Sequence, residues 1–148
     1  MRNNFSNDYT LRNELIAKLE EAEKSNDADR MNAVKNEMKK WVESMNEKGS
    51  SYARIYEYYQ ASRDKGNLNI DFNNTWGFDD EAELVKELRN LGVKQFTFSD
   101  RNTRAIEIAY AFQQAGCKLE GIIEIRNREY HLPGEEISTV PAMLFTVQ

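Results

Sequence analysis

Apolar residues recur at helical spacing through the first half of the chain. Leu11, Leu15, Leu19 and Ala22 predict a helix from Tyr9 to about Lys24, with residues 1–8 frayed. The polar break Ser25-Asn26-Asp27 follows, and Asp27 is of a type that caps a helix start. A second helix is predicted over 28–47. Its apolar residues Met31, Val34, Met38, Trp41 and Met45 alternate three- and four-residue steps, a heptad-like seam stopped by Gly49. A third helix opens at Ser50 or Ser51, places Tyr52, Ile55, Tyr56 and Tyr59 on one face, and ends at Gly66. Short connections make the first two helices an antiparallel hairpin to which the third is added.

The period changes at Gly66. Leu68, Ile70 and Phe72 alternate as in a short strand. Asp79 or Asp80 caps a helix with Leu84, Val85, Leu88 and Leu91 as its apolar face and Gly92 just past its end. VKQFTFS reads as a buried strand, and a helix opening between Ser99 and Asn102 runs to Ala115, closed by Gly116. Lys118–Asn127 is a long strand, residues 128–140 a polar loop, and AMLFTVQ the last strand. The expectation is an α+β protein: a helical region over 1–66, then a β-α-β-α-β-β domain with a mixed sheet over 67–148. Strand 94–99, its helix and strand 118–127 would form a right-handed β-α-β unit, and the last two strands an antiparallel pair.

A chain of 148 residues suits one domain, or one with a helical extension. The single cysteine, Cys117, excludes an internal disulfide and suits a reducing compartment. No apolar run approaches the roughly 20 residues that span a bilayer, and the N-terminus lacks the apolar segment of a signal peptide. The expected location is cytoplasmic. The net charge of −5 is uneven: residues 1–66 balance 12 bases against 12 acids, whereas 67–148 hold 8 bases and 13 acids. Asp71, Asp79, Asp80, Glu81, Glu83 and Glu87 face one base, Lys86. Such a patch attracts basic surfaces and repels nucleic acid. The alternative is an ordinary solvated helix start, where acids complement the helix dipole.

Candidate chemistry is sparse. One histidine and one cysteine cannot build a zinc tetrad without carboxylates, and His131 and Cys117 show no ligand spacing, so no metal or cofactor is expected. His131, in a polar loop, reads as solvated. Cys117 follows a helix C-terminus, whose negative end disfavours a thiolate, and reads as core. No nucleophile elbow, P-loop or dinucleotide fingerprint occurs. The strand QFTFS does run into SDRNTR at a helix start, where free N–H groups favour an anion. Ser99, Arg101, Asn102, Thr103 and Arg104 are therefore a candidate anion or nucleic-acid contact, or alternatively a plain helix cap. In YARIYEYYQASR, Tyr52, Tyr56 and Tyr59 read as core, and Tyr58, pointing elsewhere, as a surface anchor.

The pattern LRNLGVKQFTFS, then FQQAGCKLEGIIEI, then PAMLFTV resembles a little-characterised domain of proteins carried by plasmids, conjugative elements and phages of Gram-positive gut bacteria. It covers about residues 68–148, and nothing comparable attaches to the helices before it. The resemblance implies a mobile-element setting, in which small acidic proteins often inhibit host defence, as anti-CRISPR proteins do. No site residues come with it. The reading of the sequence is then a non-enzymatic protein-binding module, an inhibitor of a host defence nuclease complex such as a CRISPR effector. It would act by steric and electrostatic blocking through Asp79, Asp80, Glu81, Glu83 and Glu87, with Tyr58 as anchor. The alternatives are a single-strand nucleic-acid accessory protein and a small anion-binding domain or enzyme at Ser99–Arg104. The chain would be a monomer, or a homodimer through the Met31–Met45 seam.

Overall fold

The computed structural model describes residues 5–75, 78–127 and 132–148. Among them are five helices and four strands, an α+β protein with a mixed sheet. Contacts divide the chain into two compact units between Ala53 and Arg54, inside the third helix.

In the N-terminal unit, α1 (Phe5–Lys24) and α2 (Ala28–Glu47) pack on one another. Asp27 caps α2, its carboxylate accepting from the Arg30 N–H at 3.1 Å. Asn26, at φ 52°, takes the left-handed conformation that reverses the chain. Leu15, Ala22, Val34 and Met45 are buried, while Met31, Met38 and Trp41 are half-buried. The helix begins at Phe5, four residues before the expected Tyr9. Residues 5–8 are ordered by partners that lie far off in sequence. The Phe5 ring stands 4.8 Å from Tyr52, and Asp8 is held by Lys48 and Tyr52. No local pattern announces such a contact.

The third helix, α3 (Ser50–Asp64), leads through Gly66 (φ 88°) to β1 (Ile70–Phe72). Then come α4 (Glu81–Asn90), β2 (Gln95–Phe98), α5 (Ala105–Gln114), β3 (Cys117–Arg126) and β4 (Thr139–Val147). The sheet order is β1-β2-β4-β3. β1 and β2 are parallel neighbours, and β4 is antiparallel to both β2 and β3. The last two strands pair antiparallel as expected. However, β2 and β3 are not adjacent, since β4 lies between them. The hydrophobic pattern of β2 and β3 marks them as strands but carries no information about which neighbour each will choose. β4 also starts three residues before the expected Ala142 and takes in Pro141. The Val147 N–H donates to Lys94, so odd-numbered residues of β4 face β2; β2 ends at Phe98 opposite Met143. Pro141 lies past that end, where a missing N–H removes no ladder bond.

The core is aromatic. Phe96, Phe98 and Phe145 share one sheet face by register, and the Phe112 ring of α5 meets all three at 5.0–5.4 Å. Phe72 continues the cluster 5.6 Å from Phe96. Leu84, Val85 and Leu88 of α4, which packs against α5, are completely buried. Each such side chain contributes about 1.5–3 kcal/mol by leaving water, an upper figure given compact unfolded chains. On the opposite face Ile125, Val140 and Ala142 form a smaller cluster with Ile123. The outer edge of β1 is covered: the Ser62 hydroxyl of α3 accepts from the Asp71 N–H at 2.9 Å.

Candidate functional site

The acids in and just before α4 divide into two kinds. Asp80 and Glu83 build a capping box whose return bond is displaced by one residue, to Asp79. The Asp80 carboxylate accepts from the Glu83 N–H at 2.7 Å, and the Glu83 carboxylate accepts from the Asp79 N–H at 2.7 Å. The side chains of Asp79, Glu81 and Glu87 make no hydrogen bond or ion pair among the described residues, and Asp79 is exposed. Asp71 is not part of this surface. It is 1% exposed, pointing across the sheet.

Asp71 instead forms a buried polar centre that the sequence pattern concealed. Its carboxylate accepts from Thr97 Oγ1 at 2.7 Å and Ser99 Oγ at 2.6 Å. Asp71 and Thr97 are register partners on the parallel strands β1 and β2, and Ser99 follows on the same face. An acid between Ile70 and Phe72 reads as the solvent-facing member of an alternating strand. Here that face is buried, and a buried carboxylate persists only with donors. The one available signal was the hydroxyl pair in FTFS, two residues apart and thus on one face.

The loop predicted as an anion contact is occupied by its own bonds. Ser99 donates to Asp71. The Asp100 carboxylate accepts from the Asn102 N–H at 3.1 Å and Asn102 Nδ2 at 2.7 Å, and Asn102 Oδ1 accepts from the Arg104 N–H at 2.7 Å. Exposed Arg104 lies 3.6 Å from Glu107, a pair that contributes little in water. Arg101 and Thr103 are exposed, and Asp100 puts a negative charge within the loop. Arg104 begins α5 without a side-chain cap.

Tyr58 is not the free surface anchor expected. Its ring packs 4.8 Å from Phe72, and its hydroxyl donates to Asn74 Oδ1 at 2.7 Å, which ties α3 to the turn after β1. Tyr52 and Tyr56 are buried, and Tyr59 is half-buried. Cys117 is buried; burial pushes its thiol pKa up, against a smaller opposing effect of the Arg89 guanidinium. His131 lies outside the described residues. Among the described residues no group of three or more His, Cys, Asp or Glu is placed to hold a metal, and no helix is long and apolar enough to cross a membrane.

A parallel β-α-β pair, β1-α4-β2, extended by an antiparallel β3–β4 hairpin with α4 and α5 packed together, defines a small α+β domain. That domain is a recognised family: residues 54–147 match the one described as "Domain of unknown function (DUF7698)", and the chain belongs to it. The match starts at Arg54, where the second compact unit starts, and so takes in the latter part of α3. No curated protein and no solved structure matches the chain.

Proposed function

We propose that this chain is a non-enzymatic protein-binding module of a mobile genetic element. In this reading it occludes the basic nucleic-acid channel of a host defence nuclease complex, as an anti-CRISPR protein does. The observation that carries the proposal is the state of Asp79, Glu81 and Glu87. Asp79 and Glu81 sit at the capped start of α4 and Glu87 in its last turn; none of the three makes an ion pair among the described residues, and they lie in the half of the chain that holds the whole net charge. Such a surface meets a basic groove with charge complementarity and little ordering cost. At 99–104, by contrast, Ser99 and Asn102 are engaged by Asp71 and Asp100, and the Asp100 carboxylate adds a negative charge, which disfavours a small anion or a single strand.

The test is a gel shift of a purified CRISPR effector on its target DNA, with and without the chain. The chain is expected to suppress the shift at low salt. Asp79→Lys/Glu81→Lys/Glu87→Lys, which leaves the Asp80–Glu83 capping box intact, should lose that effect. Unchanged suppression by the triple variant, or none by the native chain, overturns the proposal. Direct binding of single-stranded DNA by the chain alone would favour the nucleic-acid reading, and its salt slope would count the contacts.

A further inference from the structure

The outer edge of β3 bears a half-built strand-pairing site. Arg126 donates its N–H to Asn67 Oδ1 at 2.8 Å, and its carbonyl accepts from Asn67 Nδ2 at 2.9 Å. One side-chain amide thus does what a single opposing residue does in a hydrogen-bonded antiparallel pair, exchanging both bonds with Arg126; in a parallel pair those bonds go to two different residues. Arg126 therefore faces outward, away from β4. By the two-residue alternation of a strand, so do Glu124 and Ile122, which Asn67 does not reach. The register shift between Leu119 and Gly121 ends the regular edge at the other side. The open window is thus about Gly121–Glu124.

The chemistry around this window is specific. Ile122 is 63% exposed and Leu68 84% exposed. A groove of about 410 Å³ lies between the 66–69 connection and β3, with Asn67, Leu68, Ile123 and Ile125 among its walls. Glu124 is exposed, makes no hydrogen bond or ion pair among the described residues, and has Pro141 as its β4 partner. A second copy of this chain is a poor occupant. Antiparallel registers that pair the outward residues 122 and 124 of two copies set Glu124 against Glu120, Ile122 or another Glu124, never against a base.

We propose that the β3 edge takes an extended segment of a partner protein, paired antiparallel, with the order basic–apolar–apolar. The basic residue lies opposite Glu124. The next residue, opposite Ile123, puts its side chain into the groove against Ile123, Ile125 and Leu68. The third, opposite Ile122, covers that exposed side chain. Main-chain bonds supply the hold, and alternate side chains supply the choice. This rests on the reading of the unit as a protein-binding module but assigns a different surface from the start of α4.

The probe is a short synthetic peptide with an Arg-Val-Ile core between Thr residues, titrated into the full chain by calorimetry and by amide shift mapping. Binding is expected to shift the amides of Ile122 and Glu124. Methylation of the peptide's Arg nitrogen, which faces β3, should weaken binding at least roughly tenfold, whereas methylation of the Val nitrogen, which faces away, should leave it nearly unchanged. Glu124→Lys, a change on the surface, should weaken binding roughly tenfold. No binding, or equal binding of both methylated peptides, overturns the assignment. The two surfaces are separable against a CRISPR effector. Loss of effector binding in the α4 triple variant, with no peptide binding, leaves the α4 reading standing and removes the β3 one. Loss with Glu124→Lys alone, with peptide binding intact in the α4 variant, does the reverse.

Discussion

Replacing Gly116 with alanine perturbs the junction of α5 and β3 in two ways at once. Gly116 has φ 99°, which an L side chain tolerates at a cost of about 1–2 kcal/mol. A Cβ there would also stand 2.5 Å from Arg89 Nη2. That nitrogen donates to the Ala115 carbonyl at 2.6 Å, and Arg89 Nε donates to the Gln148 carbonyl at 2.6 Å, so the guanidinium ties α4 to the end of α5 and to the residue after β4. The side chain can swing aside, but only by releasing the Ala115 bond. Arg89 is exposed, so that loss is about 1 kcal/mol and not the larger figure of a buried charge. Gly116→Ala should therefore cost about 2–3 kcal/mol in the native background. In an Arg89→Ala background only the backbone term remains, about 1–2 kcal/mol, which gives a coupling of about 1 kcal/mol. Urea unfolding of the four proteins of this cycle, followed at β2 amide resonances, measures it. Equal costs in both backgrounds would refute the steric account, and no cost at all would refute the conformational one as well.

Asp8→Ala should destabilise the N-terminal unit by about 2 kcal/mol, because the carboxylate takes two contacts from Lys48 Nζ (2.9 and 2.7 Å) and one from the Tyr52 hydroxyl while Lys48 remains partly exposed. Thermal unfolding by circular dichroism checks the size, and an unchanged midpoint would dismiss the network as ornamental. Cys117 should resist Ellman's reagent in the folded chain and react on unfolding. Its pKa is higher folded than unfolded, so its effect on stability is absent below the ordinary thiol pKa. Stability is then lost as pH rises past that value, because the unfolded chain releases the proton first. A Cys117→Ala variant should show a flatter alkaline limb, and an identical limb would contradict this.

Local chemistry made the elements legible. The helix α2 spans 28–47 as its periodicity predicts, because Asp27 and Gly49 mark its ends by capping and by positive φ. Gly66 and Gly116 end α3 and α5 for the same reason. The capping box at Asp80–Glu83 is visible as a spacing. The candidate site was much less legible. Asp71 reads as solvent-facing, Tyr58 as free and Ser99 as available, and each of these depends on a residue 14 to 28 positions away.

By itself, then, the order of residues determined which segments become helices and strands and where the glycine-stopped helices end, the α+β class, and the uneven charge. Those are short-range properties, set by backbone preferences and a two- or 3.6-residue period. Only the tertiary structure decided that β4 inserts between β2 and β3, that Asp71 turns inward onto Thr97 and Ser99, and that β3 is left with an outward-facing edge at Ile122 and Glu124. Strand neighbours are chosen by the fit of whole faces across the aromatic core, and that fit exists only once distant segments have been brought together.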